Sequence, residues 1–197
     1  MTKTAPIIPS PTPQKINYFL DKWRTLDKYV AQEKSLNKLF LDTFPNNKSI
    51  DEVLIKVSAL NDFYSTNIFS SYNMAKHIVE LQIDDRLAEK DLSLIKEIAT
   101  LAIGNKERYF YSFATKYCSH HEPLKYPIFD GYVQDMLIYF KKKDGFSDFK
   151  RDDLKDYPSF YKVMQDFRKF YGLGEFTVKE IDAYLWQAGK EYFPKIY

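Results

Sequence analysis

Three of the four side chains best suited to bind a metal ion lie close together, since Cys118 is followed by His120 and His121. Consecutive residues of a helix point about 100° apart, so these two histidines cannot easily share one ion. A metal site also needs more converging ligands than this segment supplies. We therefore expect structural or surface roles for these residues, with no bound metal.

An aromatic run at residues 109–113 has two interpretations. Aromatic rings in series can stack on nucleic-acid bases. However, Phe110, Phe113, Ala114 and Tyr117 fall on one face of a helix, which is the pattern of a buried face. We favour a role in the hydrophobic core.

Asp130 is placed to do chemistry because it follows a segment that cannot be helical. Pro123 and Pro127 make that segment an extended connector, and a helix is predicted to open at Asp130 and run to Lys143. An aspartate at this position is a good helix N-cap. A capping aspartate uses one oxygen and can keep the other for a ligand.

The elements that position Asp130 are predicted to be helices. Apolar residues recur at three- and four-residue steps from Gln14 to the C-terminal region, and no stretch alternates as a strand would. Capping-box patterns are present at Ser49–Glu52 and Thr177–Glu180. An aromatic helix is expected from about Lys106 to His120. The sequence therefore predicts an all-α fold with about nine helices.

Composition limits the class of protein. The chain has 197 residues and a net charge of +2, and 45% of its residues are hydrophobic. Such a chain forms one domain and is not disordered as a whole. No apolar run approaches the roughly 18 residues of a membrane span, and the N-terminus lacks a signal peptide's apolar core. With its single cysteine, the chain is expected to be a soluble cytoplasmic protein without a membrane partner. The oligomeric state stays open.

The first 13 residues are predicted to form a separate segment. Prolines stand at positions 6, 9, 11 and 13, and no periodic apolar face is present. We expect residues 1–13 to be a flexible arm that folding does not need, and residues 14–197 to be a single all-α domain.

The segment from Tyr111 to Val133 resembles the core of the helix–hairpin–helix (HhH-GPD) DNA glycosylase superfamily. In that superfamily a connector of the type Pro-x-x-Phe-Pro-Ile-x-Asp carries the catalytic aspartate into a cleft between two helical lobes. Two positions of the preceding helix, Ala114 and Lys116, also match. The residues that match the connector are Pro123, Tyr126, Pro127, Ile128 and Asp130.

The resemblance implies a two-lobed fold and a chemistry. One lobe would contain about residues 14–44 and 106–197, and the other about residues 49–104. Asp130 would stabilise the oxocarbenium-like sugar as an N-glycosidic bond in DNA is hydrolysed. Neither metal nor organic cofactor is implied. The candidate substrate-binding residues are Lys116, Tyr126, Phe129 and Tyr132.

Two positions depart from the superfamily pattern. The Schiff-base lysine of bifunctional members falls on Ser112, and the hairpin glycine falls on Phe110. Any glycosylase activity would therefore be monofunctional. Binding of the phosphates of duplex DNA by a glycine hairpin is in doubt. Two alternatives stay open: a non-catalytic module on the same scaffold that binds nucleic acid or protein, and an unrelated all-α interaction domain.

Overall fold

The first and last helices lie side by side in the computed structural model, which describes residues 7–194. These residues form ten α-helices, one π-helical turn, one 3-10 helix and a two-stranded sheet. The elements in chain order are α1 (Pro13–Arg24), α2 (Asp27–Asn37), the π-helical turn (Lys38–Thr43), α3 (Ile50–Tyr64), α4 (Ser71–Glu80), α5 (Asp84–Ala88), α6 (Leu94–Ala99), β1 (Thr100–Ile103), β2 (Lys106–Tyr109), α7 (Tyr111–His121), α8 (Gly131–Asp144), the 3-10 helix (Arg151–Lys155), α9 (Tyr157–Phe170) and α10 (Val178–Tyr192).

Side-chain caps start several of these helices. The predicted capping box of α10 is confirmed, since Thr177 and Glu180 bond reciprocally to each other's backbone N–H groups. The predicted box at α3 is wrong: Ser49 makes no side-chain cap, and its hydroxyl donates to the carboxylate of Asp51 instead. The Ser49 hydroxyl bonds to the nearby Asp51 carboxylate in place of the helix backbone.

The mostly helical fold is as expected, but the sequence reading missed a β-hairpin. Strands β1 and β2 pair antiparallel around Gly104, which has a φ of 59°. The predicted helix from Lys106 therefore begins later, at Tyr111. All four side chains of β2 are exposed, so this strand has no apolar face and its sequence carries no alternating pattern.

The described part of the predicted N-terminal arm is packed against the protein. Ile8 is buried, its backbone N–H donates to Tyr139 Oη at 2.9 Å, and its carbonyl accepts from Lys143 Nζ at 3.0 Å. The expectation of a flexible arm is therefore wrong at Ile8, because a single isoleucine is buried there although the arm has no periodic apolar face. That folding does not need residues 1–13 stays a prediction. Residues 1–6 of that arm lie outside the described residues.

The chain ends pack together. Helix α10 packs against both α1 and α8, while α3 packs against α4, and α6 against α7. The crossing of α8 and α10 is close at Gly189, where an added Cβ would lie 2.7 Å from Tyr132 Cβ. One continuous cluster of buried hydrophobic side chains includes residues from all these helices. The division into two lobes stays a prediction.

A buried lysine joins α3 to the segment before it. Lys56 Nζ donates to the carbonyl oxygens of Phe44 and Asn46 at 3.0 and 2.8 Å, and to Asn47 Oδ1 at 2.7 Å. Burial lowers the pKa of Lys56 to about 8, although the nearby Asp84 opposes this effect. These bonds satisfy the lysine without a direct ion pair.

No helix within residues 7–194 combines the length and the apolar character needed to cross a membrane.

Candidate functional site

A cavity of about 600 Å³ opens where α1, α2, α3, α7 and α10 meet the connector before α8. Its volume lies within the usual range for small-molecule sites. Two of the candidate residues, Asp130 and Lys116, border it. The side chains that give it its chemical character are Trp23, Tyr29, Tyr64, Lys116, His120, Asp130, Asp182 and Trp186.

Asp130 caps α8, and the backbone of the residue before it is held by side chains of α7. Its Oδ1 accepts the Tyr132 backbone N–H at 2.8 Å, and no described residue donates to its Oδ2. The preceding residue, Phe129, donates its N–H to Thr115 Oγ1 at 3.2 Å and accepts from Ser112 Oγ at 3.3 Å. The predicted N-cap is thus confirmed, and the backbone that carries it is fixed on both sides.

Lys116 is nearly inaccessible to solvent and lies beside that cap. Its Nζ donates to Ser112 Oγ at 2.5 Å and lies 5.3 Å from the centre of the Tyr64 ring. Burial lowers the pKa of Lys116 below its ordinary value, while the charges of Asp130 and Asp182 act in the opposite direction. A buried lysine of this kind has a larger share of neutral amine than an exposed one.

Asp182 is a third ionisable residue of the cavity, and the sequence reading did not identify it. Only 7% of the residue is exposed. Its Oδ2 accepts the backbone N–H of Ile128 at 2.8 Å, whereas its Oδ1 has no hydrogen-bond partner among the described residues. Burial raises the pKa of Asp182 well above the ordinary aspartate value, and the bond from Ile128 and the charge of Lys116 only partly oppose this.

His120 is a neutral hydrogen-bonding group in the cavity wall. Burial lowers the pKa of His120 to about 3, so the ring is uncharged at neutral pH. Its Nε2 lies 3.0 Å from Tyr64 Oη. Since the imidazole is neutral, the hydroxyl of Tyr64 donates if Nδ1 carries the proton. The expected structural role of His120 agrees with these contacts.

Aromatic rings from two ends of the chain form one wall. Trp23 stacks on Tyr29 with ring centres 5.9 Å apart, and Trp186 meets both rings edge-on at 5.7 and 5.1 Å. Trp23 Nε1 donates to Glu33 at 3.0 Å, and Lys179 pairs with the same carboxylate at 2.5 Å. Such a wall suits a flat ring.

The remaining candidate residues lie outside the cavity lining. Tyr126 is fully buried, and its hydroxyl contacts the carbonyl of Arg86 at 3.3 Å. Phe129 packs on Tyr111 with ring centres 4.8 Å apart. Tyr132 lies where α8 approaches Gly189. The structure therefore brings Asp130 and Lys116 together and places these three aromatic residues in packing positions.

Sequence signals for the missed residues exist on α10. Asp182 and Trp186 stand four residues apart, so they share a helix face. Asp182 lies four residues after Val178 and three before Leu185, so its carboxylate falls on an apolar helix face, which is a recognisable signal of a site. No group of three or more His, Cys, Asp or Glu side chains in residues 7–194 has the geometry of a metal site.

The fold and the site define a mostly helical protein with an aromatic-walled cavity that contains two aspartates and a buried lysine. Comparison with known proteins places the chain in a family. Residues 15–125 match the HI_0787_N family model, which is described as an N-terminal domain. The chain therefore belongs to this family; the matched range includes Lys116 and ends before Asp130.

A relative in Haemophilus influenzae (strain ATCC 51907 / DSM 11121 / KW20 / Rd) is 50% identical over 155 residues. The alignment covers 78% of this chain and 72% of the relative, which is named only as an uncharacterized protein. No solved structure matches the chain.

Proposed function

We propose that the protein cleaves the N-glycosidic bond of a nucleotide in DNA, with Asp130 as the catalytic carboxylate. One observation carries this proposal: Asp130, the last residue of the connector that resembles the glycosylase motif, borders a ring-sized cavity together with Lys116.

The chemistry requires charge stabilisation at the sugar. When the base departs, positive charge develops on the sugar ring, and a carboxylate beside it lowers the energy of that state. Asp130 Oδ1 is engaged by the helix cap, which leaves Oδ2 for the sugar or for the attacking water. Water then bonds to the sugar carbon and gives up its proton to Asp130 or to solvent.

The cavity suits the base of an extruded nucleotide. A base inside a duplex is inaccessible, so enzymes of this class extrude the nucleotide into a pocket. The rings of Trp23 and Trp186 provide flat apolar surfaces, and the hydroxyl of Tyr64 provides a polar partner. Both kinds of contact are typical of base recognition.

Lys116 favours a second route for the same bond cleavage. Its buried amine is within the cavity, and a neutral amine attacks a sugar carbon more readily than water does. The base would leave with the electron pair of its bond as the nitrogen bonds to the sugar carbon, and one amine proton would pass to the ring oxygen as the ring opens to a protonated Schiff base. This route would replace the monofunctional one.

The test is release of free base from modified oligonucleotides, both single- and double-stranded, with abasic sites revealed by alkali. We expect release from at least one substrate by the wild type and loss of release in Asp130→Asn. If the wild type releases no base from any substrate, the catalytic proposal fails.

The second candidate is a non-catalytic module that binds nucleic acid or protein. Two observations favour such a module over an enzyme that binds duplex DNA. The net charge of the chain is only +2, and the β-hairpin before α7 has a single glycine, Gly104. Binding to oligonucleotides measured over a range of salt concentrations separates the two kinds of partner, because each phosphate contact steepens the salt dependence. Salt-sensitive binding without base release would support the nucleic-acid module.

A further inference from the structure

Asp182 is the least explained polar residue of the cavity. Its side chain lines the same cavity as Asp130 and is more than nine-tenths buried. A buried carboxyl oxygen without a partner is costly, so such groups usually serve a ligand or a reaction. Asp182 Oδ1 is such an oxygen.

The two carboxyl groups of the cavity have different surroundings. Asp130 is half-buried and holds a helix N-terminus, where the positive end of the helix dipole favours a charge. Asp182 lies inside α10 and receives one backbone hydrogen bond, from Ile128. A pair of carboxyl groups in such contrasting environments is the usual arrangement for one ionised stabiliser and one acid.

We propose that Asp182 is the general acid that protonates the departing base. This inference rests on the proposed function and names a second catalytic residue for it. The hydrogen bond from Ile128 makes Oδ2 the acceptor, so the proton belongs on Oδ1, the oxygen without a protein partner.

The step is balanced without a further reactant. The proton moves from Asp182 Oδ1 to a ring nitrogen or an exocyclic oxygen of the base. The electron pair of the bond between base and sugar goes to the base, which leaves as a neutral molecule. Asp182 is left as a carboxylate and regains a proton from water. The preferred substrate is therefore a neutral base with an acceptor atom that becomes more basic as the bond breaks.

The charged and titratable groups around Asp182 are consistent with this role. The charge of Lys116 on α7 lowers the pKa of Asp182, and the charge of Asp130 raises it. Asp182 in turn raises the pKa of Tyr64 on α3 and that of Tyr157 on α9. Burial is the dominant effect, and it keeps the pKa of Asp182 above its ordinary value. A general acid must hold its proton at the working pH, and burial acts in that direction on Asp182.

The test compares Asp182→Asn with the wild type in single-turnover base release, using a neutral base that the wild type removes. Asparagine keeps the acceptor for Ile128 but has no acidic proton. We expect a loss of about 100-fold or more, with binding of an uncleavable analogue and the thermal midpoint unchanged. The matched control is Asp152→Asn, the same replacement at an exposed position outside the cavity lining.

A second measurement does not depend on activity. The ¹³C NMR signal of the Asp182 carboxyl, assigned by its absence from Asp182→Asn, is expected to report a protonated group at pH 7. An ionised Asp182 at pH 7, or Asp182→Asn release within threefold of the wild type, would overturn the inference and leave the proposed function standing. A wild type that releases no base would overturn both.

Discussion

Lys116 Nζ lies 2.5 Å from Ser112 Oγ, so the lysine reaches back one helical turn along α7. Helical side chains lean towards the N-terminus of their helix, which is why residues four apart meet. Ser112 is the position at which the superfamily resemblance would place a Schiff-base lysine. The amine of Lys116 therefore lies next to the side chain of that position, although its Cα is a turn away.

This placement leads to a prediction about covalent chemistry. If Lys116 is the nucleophile, borohydride should trap a covalent complex between the wild type and an oligonucleotide whose base it releases, because the amine lies inside the cavity. Lys116→Gln is expected to abolish trapping. Lys125→Gln is expected to retain it, because Lys125 lies within the connector and donates to the Ala88 carbonyl, outside the cavity lining. Base release without trapping in the wild type would identify water as the nucleophile.

Asp130→Asn separates catalysis from helix capping. Asparagine caps a helix about as well as aspartate, so the free energy of unfolding should change by no more than about 0.5 kcal/mol. It carries no charge to stabilise the sugar, so base release should fall below detection. Urea unfolding and the release assay measure the two effects. If Asp130→Asn retains full release, Asp130 is only a cap.

Much of this site was accessible from the sequence because it depends on local signals. Two prolines and an N-capping aspartate predict the connector before α8 without any tertiary information. Asp182 was missed because its significance depends on burial next to Ile128, which lies in a distant segment of the chain. The hairpin at Gly104 was missed because an exposed strand has no apolar periodicity, although a glycine followed by Asn105 is itself a turn signal.

Gly189 should tolerate no side chain where α8 crosses α10. The Cβ of Gly189→Ala would lie 2.7 Å from Tyr132 Cβ and 2.9 Å from the Tyr132 carbonyl oxygen. The helices would have to move apart, which we expect to lower the free energy of unfolding by about 1–3 kcal/mol. Gly174→Ala is the control, since its Cβ meets no atom within 4 Å. Equal urea midpoints for the two variants would contradict this account of the crossing.

His120 should make the folded state sensitive to mild acid. Its pKa is about 3 in the folded protein because of burial, against an ordinary value of 6.5. Between these values the unfolded chain binds more protons than the folded one, so stability falls as the pH is lowered below 6.5. We expect His120 to contribute a loss of about 1–2 kcal/mol in the free energy of unfolding between pH 7 and pH 5.

His120→Gln keeps a polar partner for Tyr64 but cannot be protonated, so its stability should fall less over the same interval. Urea unfolding at both pH values measures the difference, and the pKa of His121, which burial also lowers, adds the same background to both proteins. Identical losses in wild type and His120→Gln would mean that the pKa of His120 is the same in the folded and unfolded states, which would contradict this account.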